Sequence, residues 1–299
     1  MSHRLAALIA LQCSIAACGG GGAATCLNDD ACPSHFCKAD GTCGPVEVDA
    51  GNPPGGDATT DGATGLCAPN HDGTLTLAEV PLAPGQHANF RIATSATVST
   101  AGTSNPDGSR SWDLSQMLAN DATSDVALTS PAGAWWAADF ATASYGTVLA
   151  SGSALIGVFH VDATGVTLLG VVSPDGGTFS TELKYDPPAK ILALPMKAGD
   201  TWTSTSTVSG TAQGAITAYT EKYSSRVDQI GTLKAPYGTF PVVRVATDLT
   251  RTSGLVTLAS SRTFAWLAEC FGTVATVTST NGETSAEFTS AAEARRLAP

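Results

Sequence analysis

The chain has 299 residues, of which 43 % are hydrophobic and only 14 % charged, and its formal net charge is −11. That length accommodates one large or two ordinary domains with a real core. With 26 acidic against 15 basic residues and no basic cluster, the chain lacks the cations that neutralise phosphates, so no nucleic-acid partner is expected. Ser, Thr, Gly, Ala and Val dominate, and long Leu/Glu/Lys/Ala stretches at helical spacing are absent, which predicts a mainly β body.

Residues 1–17 have the layout of a secretory signal. Arg4 supplies positive charge, an apolar run too short to span a bilayer follows, and small residues lead into Cys18. The tetrad Ile15-Ala16-Ala17-Cys18 resembles the lipoprotein box of bacterial lipoproteins. The resemblance implies cleavage before Cys18 and lipid on its sulfur, making the membrane a partner of the chain. Gly19, where inner-membrane lipoproteins carry aspartate, implies the outer membrane, its periplasmic or surface face left open.

A glycine-rich spacer, residues 18–25, precedes a cysteine-dense module, residues 26–43. So short a stretch cannot rest on a hydrophobic core and needs cross-links. An even number of cysteines in an exported chain reads as disulfides. Cys26, Cys32, Cys37 and Cys43 allow three pairings, of which the crossed Cys26–Cys37 with Cys32–Cys43 is favoured. No spacing is C-x-x-C and no histidine stands at zinc-finger distance, which argues against zinc. The run resembles the four-cysteine repeats of myxobacterial lipoproteins and surface proteins, which implies either an interaction knob or a protease-resistant stalk. Residues 44–66 are rich in Pro, Gly and Asp without aromatics, the composition of a disordered linker.

Residues 67–299 are expected to be one β domain. At its start, an EF-hand-type register with Gly73 at the sharp turn would put Asn70, Asp72, Thr74 and Glu79 near calcium-ligand positions. Ala68 at the first ligand position departs from that pattern, and the other reading is an Asx turn at 70–73 leading into a strand over 74–80. Strands are then predicted over 85–94, 109–114, 125–128, 135–140, 153–162, 165–173, 177–185 and 191–195. A meander follows over 202–209, 215–229, 238–251, 255–269 and 272–280. Alternation there puts Val243, Val245, Thr247 and Leu249 on one face. A short strand over 285–289 and helix formers over 291–297 end the chain.

Pro195-Met196-Lys197-Ala198-Gly199-Asp200-Thr201-Trp202, Pro236-Tyr237-Gly238-Thr239-Phe240, Phe264-Ala265-Trp266 and Phe271-Gly272 form an ordered set. It is similar to a pattern in uncharacterised bacterial envelope lipoproteins related to the lipoprotein-carrier half-barrels. The resemblance implies an antiparallel curved sheet or half-barrel, with a β-sandwich as the alternative. It also implies a concave face on which Trp202, Phe240, Phe264 and Trp266 would meet an apolar ligand. Cys270 is expected to pair with Cys67, the other cysteine of the domain.

No nucleophile elbow, His-Glu-x-x-His, Walker or dinucleotide pattern occurs. The body's histidines, His71, His87 and His160, and the turn acids Asp121, Asp139, Asp175, Asp186 and Asp200 share no motif. The expected function is a lipid-anchored envelope protein whose non-catalytic domain binds an apolar ligand or an envelope-protein partner. A calcium-dependent surface adhesion module is the alternative, and a hydrolase stands behind both.

Overall fold

The structure, a computed structural model, describes residues 67–299. The chain divides into two units, Met1–Ala63 and Thr64–Pro299, and everything below lies in the second. The lipidation at Cys18 and the module cysteines Cys26, Cys32, Cys37 and Cys43 lie outside the described residues.

β1 (Thr74–Leu75) gives way to a 3-10 helix, Leu77–Glu79, where a longer strand is predicted. β2 (His87–Thr97) leads into an excursion carrying β3 (Thr103–Ser104) and β4 (Arg110–Asp113), and β5 (Ala122–Ala127) follows. A second excursion holds the 3-10 helix Ala137–Phe140 in place of the strand predicted over 135–140. Then come β6 (Tyr145–Val148), β7 (Ile156–Asp162), β8 (Gly165–Val172), β9 (Glu182–Ala193) and β10 (Met196–Lys197). Long hairpins follow: β11 (Thr201–Ala212) with β12 (Ala215–Lys234), and β13 (Thr239–Ser253) with β14 (Val256–Ala268). β15 (Gly272–Ser279) and β16 (Ser290–Leu297) end the domain. The helix formers of the tail thus lie in a strand. β16 is ladder-bonded to β15 and β2 and buries Ala291, Ala294 and Leu297, and this outweighs helix propensity. No strand forms over 285–289; there Phe288 is buried and hydrogen-bonded to Thr100.

Fourteen strands make one sheet, with β1 and β10 as a separate two-stranded ladder. The main path runs β5-β2-β16-β15-β14-β13-β12-β11-β9-β8-β7-β6, antiparallel throughout. β4 joins β12 in parallel, and Gly231 makes this pairing feasible because a Cβ there would lie 1.8 Å from Arg110 O. The two edges nearly meet: Thr129, just past β5, bridges Gly146 of β6. The result is the expected curved antiparallel sheet, rolled into a half-barrel whose unpaired edges are almost removed.

Alternation divides the sheet into two faces. Glu293 and Arg295 of β16 reach across to the β6–β7 loop, accepting from Ser151 N at 2.7 Å and donating to Leu149 O at 2.6 Å. Their face is therefore the inner, concave one. It carries Val243, Val245, Thr247 and Leu249 together, as the alternation predicts, opposite Ile230, Val227, Ser225 and Tyr223 of β12. At the end where Cys67 joins Cys270, Leu75, Val80, Leu194, Met196, Val227, Val245 and Leu267 plug the inner face. The outer face of β11 is exposed, and the two excursions cover other parts of the outer face. One places Trp112 and Leu114 over β12–β16, and the other places Trp136 and Phe140 over Val158 and Val172.

Candidate functional site

Beyond the plug, at the opposite end of the strands, the inner face opens into a cleft of about 880 Å³. Its walls come from β8, β9, β11, β12 and β13 and from the β6–β7 loop. Leu155, Leu168, Val171, Leu183, Tyr185, Tyr219, Tyr223 and Leu249 make them mostly apolar. One charged group sits among them. Glu221 is 1 % exposed, held on β12 between Tyr219 and Tyr223 at every second residue. Its Oε2 accepts from Tyr185 Oη at 2.9 Å and Tyr223 Oη at 2.5 Å. Its Oε1 accepts from Arg251 Nε at 2.9 Å and Nη2 at 2.6 Å. Arg251 stands opposite Glu221 in the β12–β13 ladder, and its guanidinium lies 4.3 Å from the centre of the Tyr219 ring.

This cluster is electrically neutral and each Glu221 oxygen is doubly hydrogen-bonded, which is how a buried carboxylate is tolerated. Burial first, then the neighbouring Tyr223 and Glu221 oxygens, hold the Tyr185 hydroxyl far above its ordinary range. Burial and Glu221 do the same for Tyr223. Both phenols therefore stay protonated and keep donating. Burial would lower Arg251, but the Glu221 hydrogen bonds and charge outweigh it and raise its affinity for the proton. The site can shelter an apolar molecule and meet a polar end at Arg251, which is 39 % exposed.

None of the four predicted aromatics lines this cleft, and only Trp202 is on the inner, concave face, which corrects their assignment as ligand contacts. Phe264 and Trp266 are on the outer face, fully buried under the first excursion. There they wrap a buried arginine: the Arg244 guanidinium is 4.1 Å from the Phe264 ring centre and 5.2 Å from Trp112. Arg244 in turn binds Asp228 at 2.7 Å and Glu287 at 2.6 Å. Trp202 belongs to the plug of the inner face. Phe240 is 5 % exposed and lines a second cleft, of about 610 Å³, at the Cys270 end, where it packs against Phe271 (ring centres 4.9 Å apart). Sequence position alone does not say which side of a sheet an aromatic takes when both sides are covered.

The predicted calcium ligands do not converge either. Asn70 Oδ1 accepts from Asp72 N and Asp72 Oδ1 from Thr74 N, the Asx-turn reading of this stretch. Glu79 is buried and turned back to cap its own 3-10 helix, accepting from Thr76 N and Oγ1 at 2.8 Å. Among the described residues no three His, Cys, Asp or Glu side chains cluster as a metal site would. Cys67 and Cys270 are bonded to each other. His87 pairs with Asp125, His160 with the Thr142 carbonyl, Asp139 with Lys184 and Asp121 with Arg296.

Glu221, Tyr185, Tyr219, Tyr223 and Arg251 were not singled out from the sequence. The signal was present: Tyr219, Glu221 and Tyr223 alternate in a predicted strand, and Arg251 extends the face of Val243 to Leu249 by one more step. Nothing local links Tyr185 to them, because it arrives through the β9–β11 pairing.

No protein-family model matches the chain, and no curated protein matches it. Among solved structures it is similar to a protein of Bacteroides fragilis described as a candidate exported protein with a YmcC-like fold. The likeness covers 75 % of this chain and 97 % of that one, with 11 % identity and a TM-score of 0.34. A likeness of that size carries no argument about function.

Proposed function

We propose that this is a lipid-anchored cell-envelope protein, exported and tethered through Cys18, whose β domain binds an apolar ligand non-catalytically in the inner cleft of the half-barrel. The observation that carries the reading is the cleft: its volume lies in the range of small-molecule sites, its walls are apolar, and its one buried charge is neutralised. Glu221 has its lone pairs engaged by Tyr185, Tyr223 and Arg251 and offers no free base to a substrate. Arg251 is the group placed to orient a polar head. The signal tetrad and Gly19 support export and outer-membrane anchoring, and the four-cysteine module and linker supply a stalk for the domain.

The test is native mass spectrometry of protein purified from its own membranes, with binding of the fluorescent fatty acid cis-parinaric acid as the solution assay. A bound apolar molecule, and parinaric acid binding blocked by Ala154→Trp at the cleft wall, are expected. A ligand-free mass together with no parinaric acid binding overturns the reading.

A further inference from the structure

Among the described residues eleven large hydrophobic side chains are exposed, and seven of them gather at one end of the half-barrel: Val148, Leu149, Phe179, Ile216, Leu255, Val256 and Leu258. They stand on four connections, β6–β7, β8–β9, β11–β12 and β13–β14, or on the strand ends beside them, all at the end of the sheet where the inner cleft opens, and the first three connections line that cleft. The connections adjoin: Gly214 N donates to Ser180 O, and Gln213 N to Thr181 Oγ1. Leu149 and Phe179 also line the cleft itself, so the apolar rim runs without a break into the apolar interior.

Charge is sparse at the same place. Residues 149–155, 211–218 and 252–261 contain no Asp, Glu, Lys or Arg, and the β8–β9 connection, residues 173–181, carries one charge, the exposed Asp175, in a chain that is 14 % charged. The β15–β16 connection, on the far side of this end, does carry Glu283 and Glu287, and Glu287 is engaged by Arg244. A protein interface of ordinary kind surrounds its apolar centre with a polar, hydrogen-bonding rim. Here Leu255, Ile216 and Phe179, 104 %, 92 % and 79 % exposed, instead project singly from hairpin ends that together carry one charge, Asp175. That arrangement enters lipid with little polar surface to dehydrate.

Building on the ligand-binding reading above, we propose that this end docks on a lipid bilayer, with Phe179, Ile216, Leu255 and Leu258 inserted among the acyl chains. The cleft mouth then opens into the bilayer, and an amphiphile passes between membrane and half-barrel without crossing water.

The Thr64–Pro299 unit, whose strands, cores and disulfide are all internal, suits the test because it lacks Cys18 and the signal. Flotation is measured with vesicles of phosphatidylethanolamine and phosphatidylglycerol. The native unit is expected to float with the vesicles. Phe179→Asp, Ile216→Asp and Leu255→Asp should each lower partitioning at least about tenfold, the effect of withdrawing one large apolar side chain from lipid. Met117→Asp, equally exposed but away from the mouth, should not. A native unit that stays with the aqueous phase overturns the proposal. So does flotation unaffected by the three aspartates, or self-association that the aspartates abolish while flotation is absent, which would mark a protein contact instead. Parinaric acid binding separates the two readings. Binding kept while flotation fails sinks the docking alone, and flotation kept while binding fails sinks the cleft reading alone.

Discussion

Replacing Glu221 by Gln keeps the volume at the centre of the cleft wall and removes one charge. The carboxylate accepts four hydrogen bonds, two from phenols and two from Arg251, and is 1 % exposed. Breaking a fully buried ion pair from one side costs about 3–5 kcal/mol. Arg251 is 39 % exposed and can recover water, so the lower end applies, about 3 kcal/mol. The amide nitrogen now faces either the phenols or the guanidinium, and at least one buried donor loses its acceptor. For a domain of this size each kcal/mol moves the melting temperature by about 2–4 °C, giving a fall of roughly 6–12 °C. Thermal unfolding of the Thr64–Pro299 unit followed by circular dichroism measures it. Tyr223→Phe alone should cost about 1 kcal/mol, and the double variant should fall short of the sum by at least about 0.5 kcal/mol, since both act on the same oxygen. If Glu221→Gln unfolds within about 0.5 kcal/mol of the native protein, the carboxylate is not the hub of the cleft wall and the reasoning fails.

Two further outcomes follow from the same structure. Tyr185 and Tyr223 are held above their ordinary value of 10.0, so they favour the folded state fully below that pH and cease to as pH rises beyond it. The urea midpoint should therefore be level from pH 7 to about 9.5 and fall above about 10, less steeply in a Tyr185→Phe/Tyr223→Phe variant; an equal slope in both would remove these phenols as the cause. The Cys67–Cys270 bridge spans 203 residues of chain, and replacing both cysteines by serine should destabilise by about 5 kcal/mol in the chain-entropy picture. A loss under about 1 kcal/mol in urea titration would mean that the plug of the inner face holds the two ends together unaided.

The sequence by itself determined a good deal. Low charge with abundant Ser, Thr, Gly and Val led to a mainly β domain, and the alternation of Val243 to Leu249 placed one strand face correctly, because strand geometry is a period of two and is written locally. Cys67 and Cys270 could be paired because no third cysteine competes within the domain. Only the tertiary structure decided which surface each face meets. Both faces of this sheet are buried in part, the inner by the plug and the outer by two excursions, so Phe264 and Trp266 read like ligand contacts while packing on Arg244. Residues 291–297 read as a helix until β2 and β15 claimed their backbone. The cleft belongs to this second kind of information. Tyr185, Tyr223, Glu221 and Arg251 come from three strands, and they meet because ladder register, set by partners tens of residues away in the chain, brings them to one point.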